Sequence, residues 1–168
     1  MRHSVVLVLT VLCAAVVLAE EKPSPQREAL KKLDFLVGEW SGEGWMQRGP
    51  QRETFTSHEK LAFRAGGFAI LVEGAHKSPD ASEFGAIGII TFDDASGSYK
   101  FHSQTSEGKG GDSEMKLVAD RMVQWYPAPV ARYTLDFTQE GRWVETGEYS
   151  RDGKEWKKFF EMTLERMK

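Results

Sequence analysis

Between Gly38 and Met167 the chain repeats one device. A short run of β-branched and aromatic residues is followed by a turn signal, at intervals of about 8 to 14 residues, and no stretch keeps a 3.6-residue period for long. The pattern predicts ten strands, roughly Gly38 to Met46, Arg52 to Arg64, Phe68 to His76, Phe84 to Asp93, Ser98 to Thr105, Asp112 to Val118, Arg121 to Tyr126, Val130 to Gln139, Arg142 to Ser150 and Trp156 to Met167. Turns are marked at Gly66-Gly67, Asp93 to Gly97, Asp120, Glu140-Gly141 and Asp152-Gly153, the last being the strongest hairpin signal. Sequential hairpins give an antiparallel up-and-down meander. Such a sheet hides its apolar face by splitting into a sandwich or by closing, and only closure removes both edges. No connection is long enough for a Greek-key crossover, so a closed all-β barrel is expected. A barrel wider than about eight strands holds more interior volume than its own side chains fill.

Period-two alternation assigns the inward faces. In strand two Phe55, Leu61 and Phe63 share a face with Glu59, opposite Thr54, Thr56, His58 and Lys60. Strand five sets Tyr99 and Phe101 against Lys100, His102 and Gln104, and strand eight sets Tyr133, Leu135 and Phe137 against Arg132, Thr134, Asp136 and Thr138. Strand nine groups Trp143, Glu145 and Tyr149. Strand ten groups Trp156, Phe160, Met162, Leu164 and Arg166, with Phe159 as an exception. The apolar faces thus carry two acids, Glu59 and Glu145, and the polar-tipped aromatics Trp125, Tyr133, Trp143 and Tyr149. A buried carboxylate must be hydrogen-bonded, paired or protonated, which makes each acid a site candidate. The alternative is that either acid sits solvated near the barrel mouth or pairs with an arginine such as Arg64 or Arg132.

Met1 to Ala19 has the layout of a secretory signal: basic Arg2 and His3, an apolar run from Val5 to Leu18, and Val17 and Ala19 at the −3 and −1 cleavage positions. The run is too short for a bilayer span, which needs about 20 residues. Its removal takes away Cys13, the single cysteine, so the exported protein is expected to have no disulfide and no thiol chemistry. Location in a periplasm or outside the cell follows. Residues 20–27, EEKPSPQR, read as a flexible spacer ahead of a barrel domain over residues 28–168. Leu30, Leu33, Phe35 and Leu36 predict one or two turns of helix stopped by Gly38. A formal net charge of −3 argues against nucleic acid and against docking on anionic lipid. With ten Phe, five Trp and four Tyr, the core must be largely aromatic.

Chemistry-bearing motifs are sparse. Gly42 and Gly44 lie inside a strand, and Gly108, Gly110 and Gly111 precede no helix, so neither glycine stretch is a phosphate loop; in the first strand they permit coiling where a barrel closes. His58, His76 and His102 could in principle form a three-histidine metal site, but they fall on the expected outward face of two strands and none sits in a close-spaced ligand pair, so no metal site is expected. There is no G-x-S-x-G elbow, and Ser57-His58 is a polar strand dipeptide. No catalytic residue is assigned.

The segment Gly38-Glu39-Trp40-Ser41-Gly42-Glu43-Gly44, preceded by Leu33 to Leu36 and followed by an all-β chain, resembles the calycin-like, lipocalin-like barrels. It is most similar to a bacterial family of uncharacterised exported or soluble proteins related to nitrobindin-type heme-binding barrels. Further likeness lies in Glu73-Gly74, Phe92 to Tyr99, Arg132-Tyr133-Thr134 and Gly147 to Arg166. The resemblance implies a ten-stranded antiparallel up-and-down barrel after a short N-terminal helix. It also implies that Trp40 packs at the closed end against Arg166, a structural closure worth roughly 0.5 to 2 kcal/mol. Nitrobindins hold ferric heme through a histidine in a C-terminal strand, and Arg142 to Lys168 contains none. Heme would fall to Met162, Tyr149 or a distant histidine.

The expected function is binding of a small, mostly apolar molecule in the lumen, anchored among Glu59, Trp125, Tyr133 and Glu145. Two alternatives stand beside it: heme or nitric-oxide handling of nitrobindin type, and a small hydrolase or isomerase using the lumen carboxylates.

Overall fold

The structure, a computed structural model, describes residues 24–168, so the signal read over residues 1–19 lies outside the described residues. Ten antiparallel strands close into a barrel: β1 (Gly38–Arg48), β2 (Gln51–Arg64), β3 (Ala69–Lys77), β4 (Glu83–Asp93), β5 (Ser98–Thr105), β6 (Gly110–Ala119), β7 (Met122–Ala128), β8 (Ala131–Asp136), β9 (Arg142–Tyr149) and β10 (Lys157–Arg166). Each strand pairs with its sequence neighbour, and β1 also pairs with β10, so no strand among the described residues is left as an edge. Gly42 makes that seam possible. A Cβ there would lie 2.1 Å from the Thr163 carbonyl oxygen of β10, so a side chain would push the two strands apart.

One end of the cylinder is plugged. Helix α1 (Pro25–Lys31) and a 3-10 turn (Asp34–Leu36) lay Leu30, Leu33 and Leu36, all fully buried, across the opening. The helix starts inside the stretch read as spacer, because Pro25 at its first turn has a φ already suited to helix. The Tyr99 hydroxyl of β5 donates to the Ala29 carbonyl (2.8 Å) and ties the helix to the wall. Behind the plug Trp40 packs edge-on against Phe137 (5.1 Å between ring centres) and Trp143 (6.0 Å). Its indole N–H donates to the Leu36 carbonyl at 3.0 Å. The Arg166 guanidinium lies 4.2 Å from the centre of the Trp40 ring and donates to the carbonyls of Val37 (2.7 Å) and Phe35 (3.1 Å).

The strands depart from the sequence pattern in three places, each with a local cause. β8 ends at Asp136 rather than Gln139, since the Asp136 carboxylate accepts from the backbone and hydroxyl of Thr138 and the Phe137 N–H turns to the Arg121 carbonyl. That turn sends the Phe137 ring into the plug. The Asp152-Gly153 signal forms a wider loop than a two-residue hairpin, because the Asp152 carboxylate gathers the N–H groups of Lys154 and Glu155. A bulge between Lys158 and Phe160 resets the parity of β10. Trp156, grouped by alternation with the inward face, therefore stacks outside under Arg132 at 4.1 Å.

Replacing Arg166 with Ala removes the stacking and leaves two carbonyls without their charged donor, an expected loss of about 2 kcal/mol in urea unfolding. Arg166→Lys should recover less than half of it, because a lysine has no planar fork to reach both carbonyls. Full recovery would show that charge alone matters.

Candidate functional site in the barrel lumen

Above the plug the barrel encloses a cavity of about 540 Å³ that runs to the opposite end. Its floor is apolar, formed by Leu36, Leu61, Ile90, Leu135 and Trp143. Halfway up, the wall is an unbroken succession of rings. Phe84 meets His76 (5.5 Å), His76 meets Phe55 (5.5 Å), Phe55 stacks on Phe160 (5.8 Å), and Phe160 meets Tyr133 (5.6 Å). Tyr133 then stacks on Trp125 at 4.4 Å with 9° between planes, and Trp125 meets Phe101 at 5.1 Å. The Trp125–Tyr133 stack follows from register, since the two are direct cross-strand partners on β7 and β8. Glycine makes room for the Tyr133 ring: a Cβ on its β9 partner Gly147 would lie 2.8 Å from Tyr133 Cε1.

Glu59, Trp125, Tyr133 and Glu145 all line this one cavity. Tyr149, grouped with them by alternation, does not. It is half-exposed at the end of β9, where its ring meets Phe159 (6.2 Å). The alternatives for the acids are overturned: Glu59 is 5% exposed and Glu145 7%, which excludes solvation at the mouth. Neither pairs with Arg132 or Arg64. Arg132 bridges to Glu148 (2.9 Å), and Arg64 donates to its neighbour's carbonyl at Phe63.

Glu59 accepts from the Ser57 hydroxyl at 3.0 Å, and His76 Nε2 lies 3.5 Å from the same oxygen. Burial raises its proton affinity to a pKa of about 7, opposed by the Ser57 hydrogen bond. Glu145 is pushed further, to about 8, first by burial and then by the charge of Glu59, with a hydrogen bond from the Trp125 side chain opposing. Burial also holds His76 below its ordinary value, and burial together with the Glu145 charge raises Tyr133. The carboxyls feel each other across the lumen.

Alternation assigns no face to strand three, so His76 does not emerge from it as a site residue. The signal lies in the pairing: Glu59 faces Gly74 and Ser57 faces His76 across β2 and β3. Gly74 clears space for the acid, as a Cβ there would lie 2.7 Å from Glu59 Oε2. His58 and His102 lie outside, the latter 2.7 Å from Asp112, so the three histidines do not converge.

Imidazole-ligated heme needs a ring nitrogen exposed to the lumen and not engaged by another group. His76 is the histidine of the cavity wall, yet its Nδ1 is buried and its Nε2 is turned to Glu59. The arrangement does not fit that ligation.

Both acids bind protons more tightly folded than unfolded, where glutamate titrates near 4.5. Their stabilising contribution is complete below that value and is lost as pH rises through about 7 and 8. The slope approaches about 1.4 kcal/mol per pH unit for each carboxyl. Calorimetric melting should fall from pH 6 to 9 in the wild type and less steeply in Glu145→Gln, which should be the more stable protein at pH 9; parallel curves would refute this. Gly74→Ala should destabilise the wild type by about 1 kcal/mol more than it destabilises Glu59→Ala, a coupling readable in a double-mutant cycle.

The barrel has counterparts among solved structures. The crystal structure of Rv2717c from M. tuberculosis superposes with a TM-score of 0.64 at 12% identity, over 83% of this chain and 98% of that one, a likeness of fold. More distant are a de novo designed fluorescence-activating β-barrel (TM-score 0.41, 14% identity, 80% and 95% covered) and EF1p2_mFAP2b bound to DFHBI (0.43, 12%, 82% and 98%). No curated protein matches the chain. No helix among the described residues is long and apolar enough to cross a membrane. Residues 22–166 match the family described as Protein of unknown function (DUF1579), and the chain belongs to that family.

Proposed function

We propose that this protein is an exported, non-enzymatic barrel that holds a small, mostly apolar molecule in its lumen, with Glu59, Trp125, Tyr133 and Glu145 as polar anchors. The observation that carries the reading is the cavity of about 540 Å³ inside the aromatic succession, a volume in the range of small-molecule sites. A few polar groups set in apolar walls fix a ligand's orientation, while the walls supply most of its affinity. Export rests on the sequence from Met1 to Ala19.

Two measurements test it. The neutral fluorophore N-phenyl-1-naphthylamine should bind one to one with a blue shift, and Ala86→Trp, which fills the lumen from β4, should weaken binding at least about tenfold while keeping the wild-type circular dichroism. Undiminished binding in that variant would place the site elsewhere. N-terminal sequencing of protein from its own host should begin at Glu20, and an intact Met1 would remove export.

A second reading, acid/base catalysis by Glu59 and Glu145, is supported by two coupled carboxyls with pKa values near 7 and 8 in one cavity. Turnover in a broad substrate screen, lost in both Glu59→Gln and Glu145→Gln, would establish it over simple binding.

A further inference from the structure

The charges that line the cavity do not balance. At the mouth Arg48 pairs with Glu53 (2.9 Å) and Lys109 with Glu107 (2.8 Å), so each basic side chain of the lining already has its acid. Deeper in, among the described residues, Glu59 and Glu145 share the lumen with no lysine or arginine. The groups that face them there are His76, whose proton affinity burial lowers, Ser57, Trp125 and Tyr133. Two buried carboxyls with no lysine or arginine beside them are costly to ionise.

A ligand with an anionic head would meet like charge at both acids. A wholly apolar ligand would satisfy neither. A cation would pair with the acids and lie against the stacked Trp125 and Tyr133 rings, whose electron-rich faces attract positive charge.

We propose that the lumen ligand is a small organic cation, an apolar body bearing a protonated amine seated between Glu59 and Glu145. This rests on reading the lumen as a ligand site. The carboxyls act as paired acceptors, the aromatic succession holds the apolar body, and binding displaces the protons that the two acids otherwise keep.

Three matched probes differ only in head charge: 5-methoxytryptamine, the neutral alcohol 5-methoxytryptophol and the anion 5-methoxyindole-3-acetate. Titration calorimetry at pH 6.5 should show the amine binding at least about tenfold tighter than the alcohol and the anion weakest. Repetition in buffers of different ionisation enthalpy should show proton release with the amine alone. Glu145→Gln should abolish the preference, bringing the affinity for the amine to that for the alcohol measured in the same variant; Glu59→Gln serves the same purpose if the first variant does not fold. Equal affinities, or preference for the anion, would overturn the cation and leave lumen binding standing. So would uptake of N-phenyl-1-naphthylamine with none of the three probes bound, whereas failure of all four would overturn both.

Discussion

The hydrogen-bonded seam between β1 and β10 is the interaction on which the rest depends. Without it the ten strands are an open meander with two edges and no interior. The seam joins the beginning of the fold to its end, so it is the pairing most costly in chain entropy. Local packing compensates at one place. Trp40 faces Arg166 directly across the seam, Gly42 faces Leu164, and the guanidinium of Arg166 reaches past the indole to the carbonyls of Val37 and Phe35. One side chain thereby joins the last strand to the first strand and to the plug.

Closure decides what the inward side chains meet. Alternation puts Phe55, Phe101, Tyr133 and Phe160 on one face of a sheet, and in an open sheet they would meet a second layer. In a closed barrel they meet one another edge to face and stacked, and glycines on intervening strands leave the space their rings occupy. The result is a wall, not a filled core. Glu59 and Glu145 are raised in proton affinity by the same circumstance: closure removes water from around them and brings them within reach of each other's charge. Their chemistry is a property of the cylinder.

The strand pattern is legible nearly residue by residue, because turn residues and period-two alternation are local signals that closure does not alter. Where the pattern misleads, a local backbone event has reset the period. The bulge before Phe160 puts Trp156 outside, and the Asp136 turn ends β8 early. The candidate site is less legible. Glu59 and Glu145 stand out as acids on apolar faces, but they lie on strands far apart in the chain, and nothing local relates their directions. His76 is hidden because alternation in strand three is blurred by Gly74, whose inward position has no side chain to report it.

The sequence by itself determined the strands, their order of pairing, most of their inward faces and the presence of acids among aromatics, since each depends on residues within a few positions of one another. The tertiary structure alone decided that the mouth charges pair off, that the rings form a continuous wall and that, among the described residues, the two deep acids face one cavity with no lysine or arginine beside them. Those depend on which residues lie across a lumen. That distance is set by the number of strands and the closure of the barrel, and no short stretch of the chain contains it.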